Sequence, residues 1–254
     1  MPHRNVRALS IFACTLLAAA AATTATGQDK GAVRTKFESA IYPQDPDKKD
    51  IQGNVLLIGR IDTNGNVSDI HVVAATRKEF VPPAIDSVRT WKFTPAMRNG
   101  KPIEIPLNAG VRFRLTGGGR GLIPRPILGD LAVFPADAAG AKTAPDGFPI
   151  WKGKDPALRA EAQLDVPPSE QPRTMTVKVE AVSPSGRRIP VFQPPLAVPA
   201  LASEVSFPVV AQIGTDWEEG VWILRFSVDG TNAGGGQFWL AKDPATFPFA
   251  LPAL

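Results

Sequence analysis

Apolar and polar positions alternate through most of the stretch from Gly53 to Leu115, and the alternation changes period once on the way. Val55-Leu56-Leu57-Ile58 and Ile61 precede Thr63-Asn64-Gly65-Asn66, after which Val67, Ile70, Val72 and Val73 resume the apolar run. Asn-Gly between two such runs predicts a hairpin, because both residues tolerate the positive φ of a tight turn. Pro82-Pro83 then lead into Ala84 to Thr90, where Val81, Ile85, Val88 and Trp91 recur at helical spacing. Proline suits a first helical turn, whose N–H groups have no intrahelical partner. After a turn at Asn99-Gly100, Ile103, Ile105, Leu107, Ala109, Val111, Phe113 and Leu115 take the odd positions, with Glu104, Pro106, Asn108, Gly110, Arg112 and Arg114 between them. That period of two predicts one long strand with a buried face and a solvated or partner-facing face. The expected fold is α+β: an antiparallel three-stranded sheet with one packed helix.

A second pattern follows Thr116-Gly117-Gly118-Gly119-Arg120-Gly121, which reads as a flexible joint; no Lys-Ser or Lys-Thr and no helix start follow it, as a phosphate cradle would require. Leu122 to Pro149 is rich in proline, alanine and glycine, with Leu131-Ala132-Val133-Phe134 as a short strand. From Trp151 the chain reads as all-β. Strands are expected at Leu158–Leu164, around Met175, Val177 and Val179, at Arg188–Phe192, along Trp222, Leu224, Phe226 and Val228, and at Gln237–Leu240, with turns at Pro184-Ser185-Gly186 and Asp229-Gly230. Short strands with turns between them predict a sandwich-like module, and Gly220 to Gly230 loosely resembles the penultimate strand of immunoglobulin-like domains. The division expected is residues 1–27 leader, 36–116 α+β domain, 117–127 linker and 128–254 β module.

Within the first domain, several short matches stand in one order. They are Tyr42-Pro43, Gly53-Asn54-Val55, Ile61-Asp62 with Gly65, Asp69-Ile70, Trp91-Lys92-Phe93-Thr94-Pro95-Ala96, Asn99-Gly100-Lys101-Pro102 and Val111-Arg112-Phe113-Arg114-Leu115. In this the stretch from about 36 to 116 resembles the C-terminal domain of TonB, the periplasmic energy transducer of Gram-negative bacteria. One departure is that Gln44-Asp45-Pro46-Asp47-Lys48-Lys49-Asp50 is polar and contains proline where the family carries a short amphipathic helix, so that helix is expected to be short or frayed.

The beginning of the chain changes the picture of where it acts. Arg4 and Arg7 precede an apolar run from Ala8 to Ala22 and small residues to Gly27, which reads as a cleaved export signal. The run is about 15 residues, short of the roughly 20 that span a bilayer as a helix. Cys14, the only cysteine, lies inside that run rather than at its end, so lipidation is not expected and the mature chain lacks disulfides and thiolate chemistry. Losing Arg4 and Arg7 takes the formal charge from +4 to +2, so the sequence pI of 9.3 is partly a leader effect. No nucleic-acid footprint is visible. From Gly27 to Lys36 about ten residues reach roughly 30 Å fully extended, too short for the long proline-rich spacer of an energy transducer.

Candidate chemistry is sparse, and no catalytic, cofactor or metal residue is assigned. Asp69 and His71 share a strand face opposite the apolar set and lack further ligands for a metal. Asp45, Asp47 and Asp50 lack the glycine and terminal glutamate of a calcium loop. There is no Gly-x-Ser-x-Gly elbow. Asp216, Glu218 and Glu219 around Trp217 read as a turn with an aromatic plug.

The resemblance implies a periplasmic, non-enzymatic interaction protein that pairs a strand with a short segment of an outer-membrane receptor, possessing no cofactor. The expected binding edge is the last strand, with Ile103, Ile105, Leu107, Val111, Arg112, Phe113 and Arg114 on it; Pro106 fits an edge, and the two arginines steer an acidic partner. Two other readings stay open. One is an inner-membrane-anchored transducer with an uncleaved leader; the other is an envelope ligand-binding protein or enzyme with a site between its two modules.

Overall fold

A computed structural model of the chain describes residues 29–43, 52–114, 123, 125–192 and 194–242. The expected leader, the polar segment after Pro43, Leu115 and the glycine run lie outside the described residues. The first half contains β1 (Val33–Lys36), β2 (Gly53–Ile61), β3 (Val67–Ala75), α1 (Val81–Thr90), β4 (Lys92–Thr94), β5 (Ala96–Arg98), β6 (Lys101–Ile103) and β7 (Ile105–Phe113). The main sheet has the order β3-β2-β7, all antiparallel, while β1 pairs with β4 and β5 with β6.

The β2–β3 hairpin turns as expected, but only Gly65 of the Asn-Gly pair adopts a positive φ, 80°. Asp62 closes the turn instead: its carbonyl accepts from Gly65 N–H at 2.9 Å and its carboxylate from the N–H groups of Asn64 and Asn66 at 2.8 Å. Helix α1 follows a single 3-10 turn at Lys78–Phe80 and carries proline in its first turn. It lays Ala84 and Val88 on the sheet, where they meet Val55, Leu57, Leu107, Ala109 and Val111. Phe80 stacks on Phe113 with ring centroids 4.4 Å apart.

The single strand expected from Ile103 to Leu115 is instead two. Ile103 pairs with Ala96 in the β5–β6 hairpin, whereas Ile105 pairs with Ile61 of β2. The strand changes partner at Glu104, which lies outside both strands and sits 3.4 Å from the Arg60 guanidinium.

The second half is β8 (Ile127–Ala136), β9 (Ile150–Trp151), β10 (Ala157–Asp165), β11 (Arg173–Val182), β12 (Arg188–Phe192), β13 (Pro195–Val198), β14 (Glu204–Gln212), β15 (Gly220–Val228) and β16 (Thr231–Ala241). One sheet runs β14-β10-β8 and the other β12-β11-β15-β16-β9, with β13 also on β11. Leu158, Ala160 and Leu164 of the first sheet share one core with Val177, Val179, Trp222, Leu224 and Phe226 of the second. Without a disulfide, burial of these side chains holds the sheets together. The sequence reading lacked β14, whose Phe207, Val209 and Ala211 face this core while Pro208 is tolerated on an edge strand.

The two halves are stitched through each other's cores. Leu56 of β2 is buried in the β-module cluster, with Val73 and Ala74 of β3 packed against it. Phe148, from the loop before β9, is buried among the residues that pack under α1. Every residue from Gly53 to Gly59 is accordingly buried, on both faces of the central strand. The even positions of β7, expected to face solvent or a partner, face β8 and β16. Asn108 exchanges two hydrogen bonds with the Gln237 backbone, at 2.8 and 3.0 Å, and the Gln237 side-chain amide donates to the carbonyls of Gly59 and Leu107. At the other end, the Asp165 carboxylate, 1% exposed, accepts from Asn54 Nδ2 at 2.5 Å and from Arg114 Nη2.

With both faces of the sheet covered, the described parts should unfold in one calorimetric transition, not two. Asp165→Ala should lower stability by about 2 kcal/mol, less than for a fully buried pair because its arginine partner keeps some solvent. Burial pushes the Asp62 carboxyl up, but hydrogen bonds from Asn66 and Asn64 and the nearby Lys92 outweigh it and hold it below the ordinary aspartate value. Its contribution to stability is therefore present above the unfolded-state pKa of about 3.9. It disappears as pH falls through the lower folded value, and Asp62→Asn should remove that acid-dependent part in denaturation curves.

Candidate functional site

Strand β7 is bound on one edge only. Its nine residues pair with β2 from Gly53↔Phe113 to Ile61↔Ile105, and no other backbone bond reaches it among the described residues. Ile105, Leu107, Val111 and Phe113 are all buried toward the helix, so what they leave at the outer edge is backbone. Beside that edge runs a groove of about 360 Å³, from Asn108 to Arg112. Gly129 and Asp130 of β8 form one wall, and the segment containing Arg34, Phe37, Ser39 and Ala40 forms the other.

That outer wall is tied to the end of the helix. Ser87 Oγ donates to the Glu38 carbonyl at 2.5 Å and receives the Trp91 indole N–H at 3.3 Å. The Arg34 guanidinium lies over both Phe37 and Trp91, 4.5 and 4.6 Å from their ring centroids. Tyr42 then packs its ring edge-on against Phe80. Phe37 is nonetheless 53% exposed, an aromatic surface left at the rim of the groove.

The two arginines expected to steer an acidic partner are engaged inside the chain. Arg114 pairs with Asp165 and donates to Asn54 Oδ1 at 3.2 Å; Arg112 donates to Gln163 Oε1 at 2.7 Å and lies 3.8 Å from Glu204. Gly110 lies at a strand crossing, where a Cβ would stand 2.2 Å from the Gly129 carbonyl oxygen. Proline at that position would break the fold as well as the edge.

Asp69 and His71 are exposed, as read from the alternation, and come together at a cavity of about 120 Å³ with Arg60, Gln237 and Trp239. Asp69 is paired with Arg60 instead of His71. Such a volume is below the few hundred cubic ångströms usual for a small-molecule site. Among the described residues, no group of three His, Cys, Asp or Glu side chains is placed to hold a metal ion.

The profile of the Gram-negative bacterial TonB protein C-terminal family matches residues 38–115. Those residues form a TonB C-terminal domain. The chain is 33% identical over 72 residues to the TonB protein of Xanthomonas campestris pv. campestris (strain B100), covering 26% of this chain and 32% of that protein. It is 27% identical over 90 residues to the TonB protein of Vibrio cholerae serotype O1, covering 35% and 37%. It thus spans about a third of the length of these curated relatives. A solved structure of Pseudomonas fluorescens alkylpurine DNA glycosylase AlkC bound to DNA aligns with 46% of this chain and 30% of its own at 17% identity. Its TM-score of 0.33 is too low to carry a shared fold.

The groove's outer wall was missed by reading the sequence, because Arg34 to Ala40 has no period; Phe37 and Trp91 with an arginine nearby were the available signal. The covering of the TonB-domain sheet had a clearer signal in Gly234-Gly235-Gly236, since glycines inside a strand pattern mark close backbone approach. A Cβ on Gly236 would stand 2.8 Å from Asn108 Oδ1.

Ser87→Ala should release the outer wall, costing about 1 kcal/mol for the lost hydrogen bonds. Hydrogen exchange and protease cleavage should then rise at residues 36–42 while α1 and β7 stay protected.

Proposed function

We propose that this is an exported, non-enzymatic protein of the Gram-negative periplasm whose TonB domain captures an extended segment of an envelope partner, an outer-membrane receptor, in TonB-dependent transport. The observation that carries the reading is the outer edge of β7, which has no backbone partner among the described residues and borders a groove. A peptide strand added there would take affinity from backbone hydrogen bonds and selectivity from alternate side chains. The groove adds an aromatic rim at Phe37 and charges of both signs, Arg34 and Asp130. Arg112 and Arg114 contribute little to this reading, since they serve the clamp on the β module.

The reading is tested with peptides from the periplasmic ends of outer-membrane receptors. Binding should protect the amides of residues 107–112 from exchange. Ser39→Trp, a substitution at an exposed position of the outer wall, should fill the groove and weaken capture at least about tenfold, with thermal unfolding unchanged. Protection appearing on β3 instead, or full binding by Ser39→Trp, would exclude this edge.

A further inference from the structure

A second cleft, of about 700 Å³, lies between the tip of the β5–β6 hairpin and the turn that follows β9. Five cations line it and, among the described residues, no carboxylate does: Arg98 and Lys101 from the hairpin, Lys152 and Lys154 from the turn, and Lys242 just beyond β16. Its apolar surface comes mainly from Pro102 and Ile103, since Trp151 is 6% exposed.

The cations are not equivalent. Lys242 is paired with Glu219 at 2.9 Å, and Arg98 lies 3.6 Å from Asp29. Lys152 donates to the carbonyls of Thr215 and Trp217 at 2.7 and 2.5 Å, which holds its ammonium in place within electrostatic reach of the Asp216 and Glu219 carboxylates. Lys101 and Lys154 form no ion pair among the described residues. The Arg98 side chain is only 10% exposed and stacks 4.3 Å from the Trp151 ring centroid.

We propose that this cleft binds a small organic phosphate, with its apolar or flat body against Pro102 and Ile103 and its phosphate among Lys101, Lys152 and Lys154. Converging ammonium groups act as point charges, and three of them match the three oxygens and roughly −2 charge of a phosphate monoester better than a singly charged carboxylate. The same chemistry is offered by a soluble phosphoester and by an anionic lipid headgroup. The site is separate from the β7 groove and does not depend on it.

Calorimetric titration of the full chain with phenyl phosphate, inorganic phosphate and phenol tests the proposal. Phenyl phosphate should bind at least about tenfold more tightly than either of the others, since each supplies only one half of the interaction. A Lys101→Glu, Lys154→Glu double variant, at two exposed positions and with unchanged thermal unfolding, should lose at least about tenfold of that affinity. Sedimentation with phosphatidylglycerol vesicles, against phosphatidylcholine vesicles, separates the two sources. Binding to the anionic vesicles that the variant loses assigns a lipid headgroup; no vesicle binding with phenyl phosphate retained assigns a soluble ligand. Phenyl phosphate bound no better than inorganic phosphate or phenol, or equally well by the folded variant, overturns the proposal.

Discussion

A helix can cover only one face of a three-stranded sheet, and the other face of β3-β2-β7 must be kept from water by something else. Here β8 and β16 of the same chain supply that cover. Leu56 and Ile58, nearly inaccessible on the central strand, would each contribute about 1.5–3 kcal/mol on full burial. The polar groups between the layers act differently. Asn108, Gln237, Asn54 and the Oδ2 atom of Asp165 find their partners only when the layers sit in one register, and a shift would strand buried amides and a carboxylate oxygen. Their net contribution per bond is small, about 1 kcal/mol, but the cost of leaving them unmatched is larger, so they fix alignment more than they add stability.

The parts most legible in the sequence are those where one local rule acts alone. The hairpin, the proline-started helix and the alternation along β10, β11 and β15 each follow from period and turn chemistry. What alternation cannot reveal is what lies against the polar face. Asn108, Arg112 and Arg114 look solvated because they are polar, yet they are polar because they bond across a layer contact. The partner change at Glu104 was hidden for a related reason. Ile103 and Ile105 keep the same parity through it, so the side-chain pattern runs on while the backbone pairing does not.

The β7 edge was legible as a strand edge from Pro106, but its surroundings were not. Its outer wall is an irregular segment held by one serine and by aromatic contacts, none of which has a periodic signature. Neither did the sequence reveal that Gly110 serves the crossing with Gly129, which makes it a packing residue rather than a neutral place to interrupt the strand.

Covering the face and exposing the edge are linked physically. An open sheet with a wet face can twist and slip, and an added strand would first have to fix that freedom. With β2 buried on both sides and β7 clamped through Asn108 near its middle and Arg114 just past its end, the sheet is already held in the geometry that a further strand requires. For the proposed strand capture, the ordering cost would then fall mainly on the incoming segment and on the few residues from Arg34 to Ala40 that wall the groove. In the proposed strand capture, the β module would set the shape of the edge from behind and, through Gly129 and Asp130, form one wall of the groove that receives the strand.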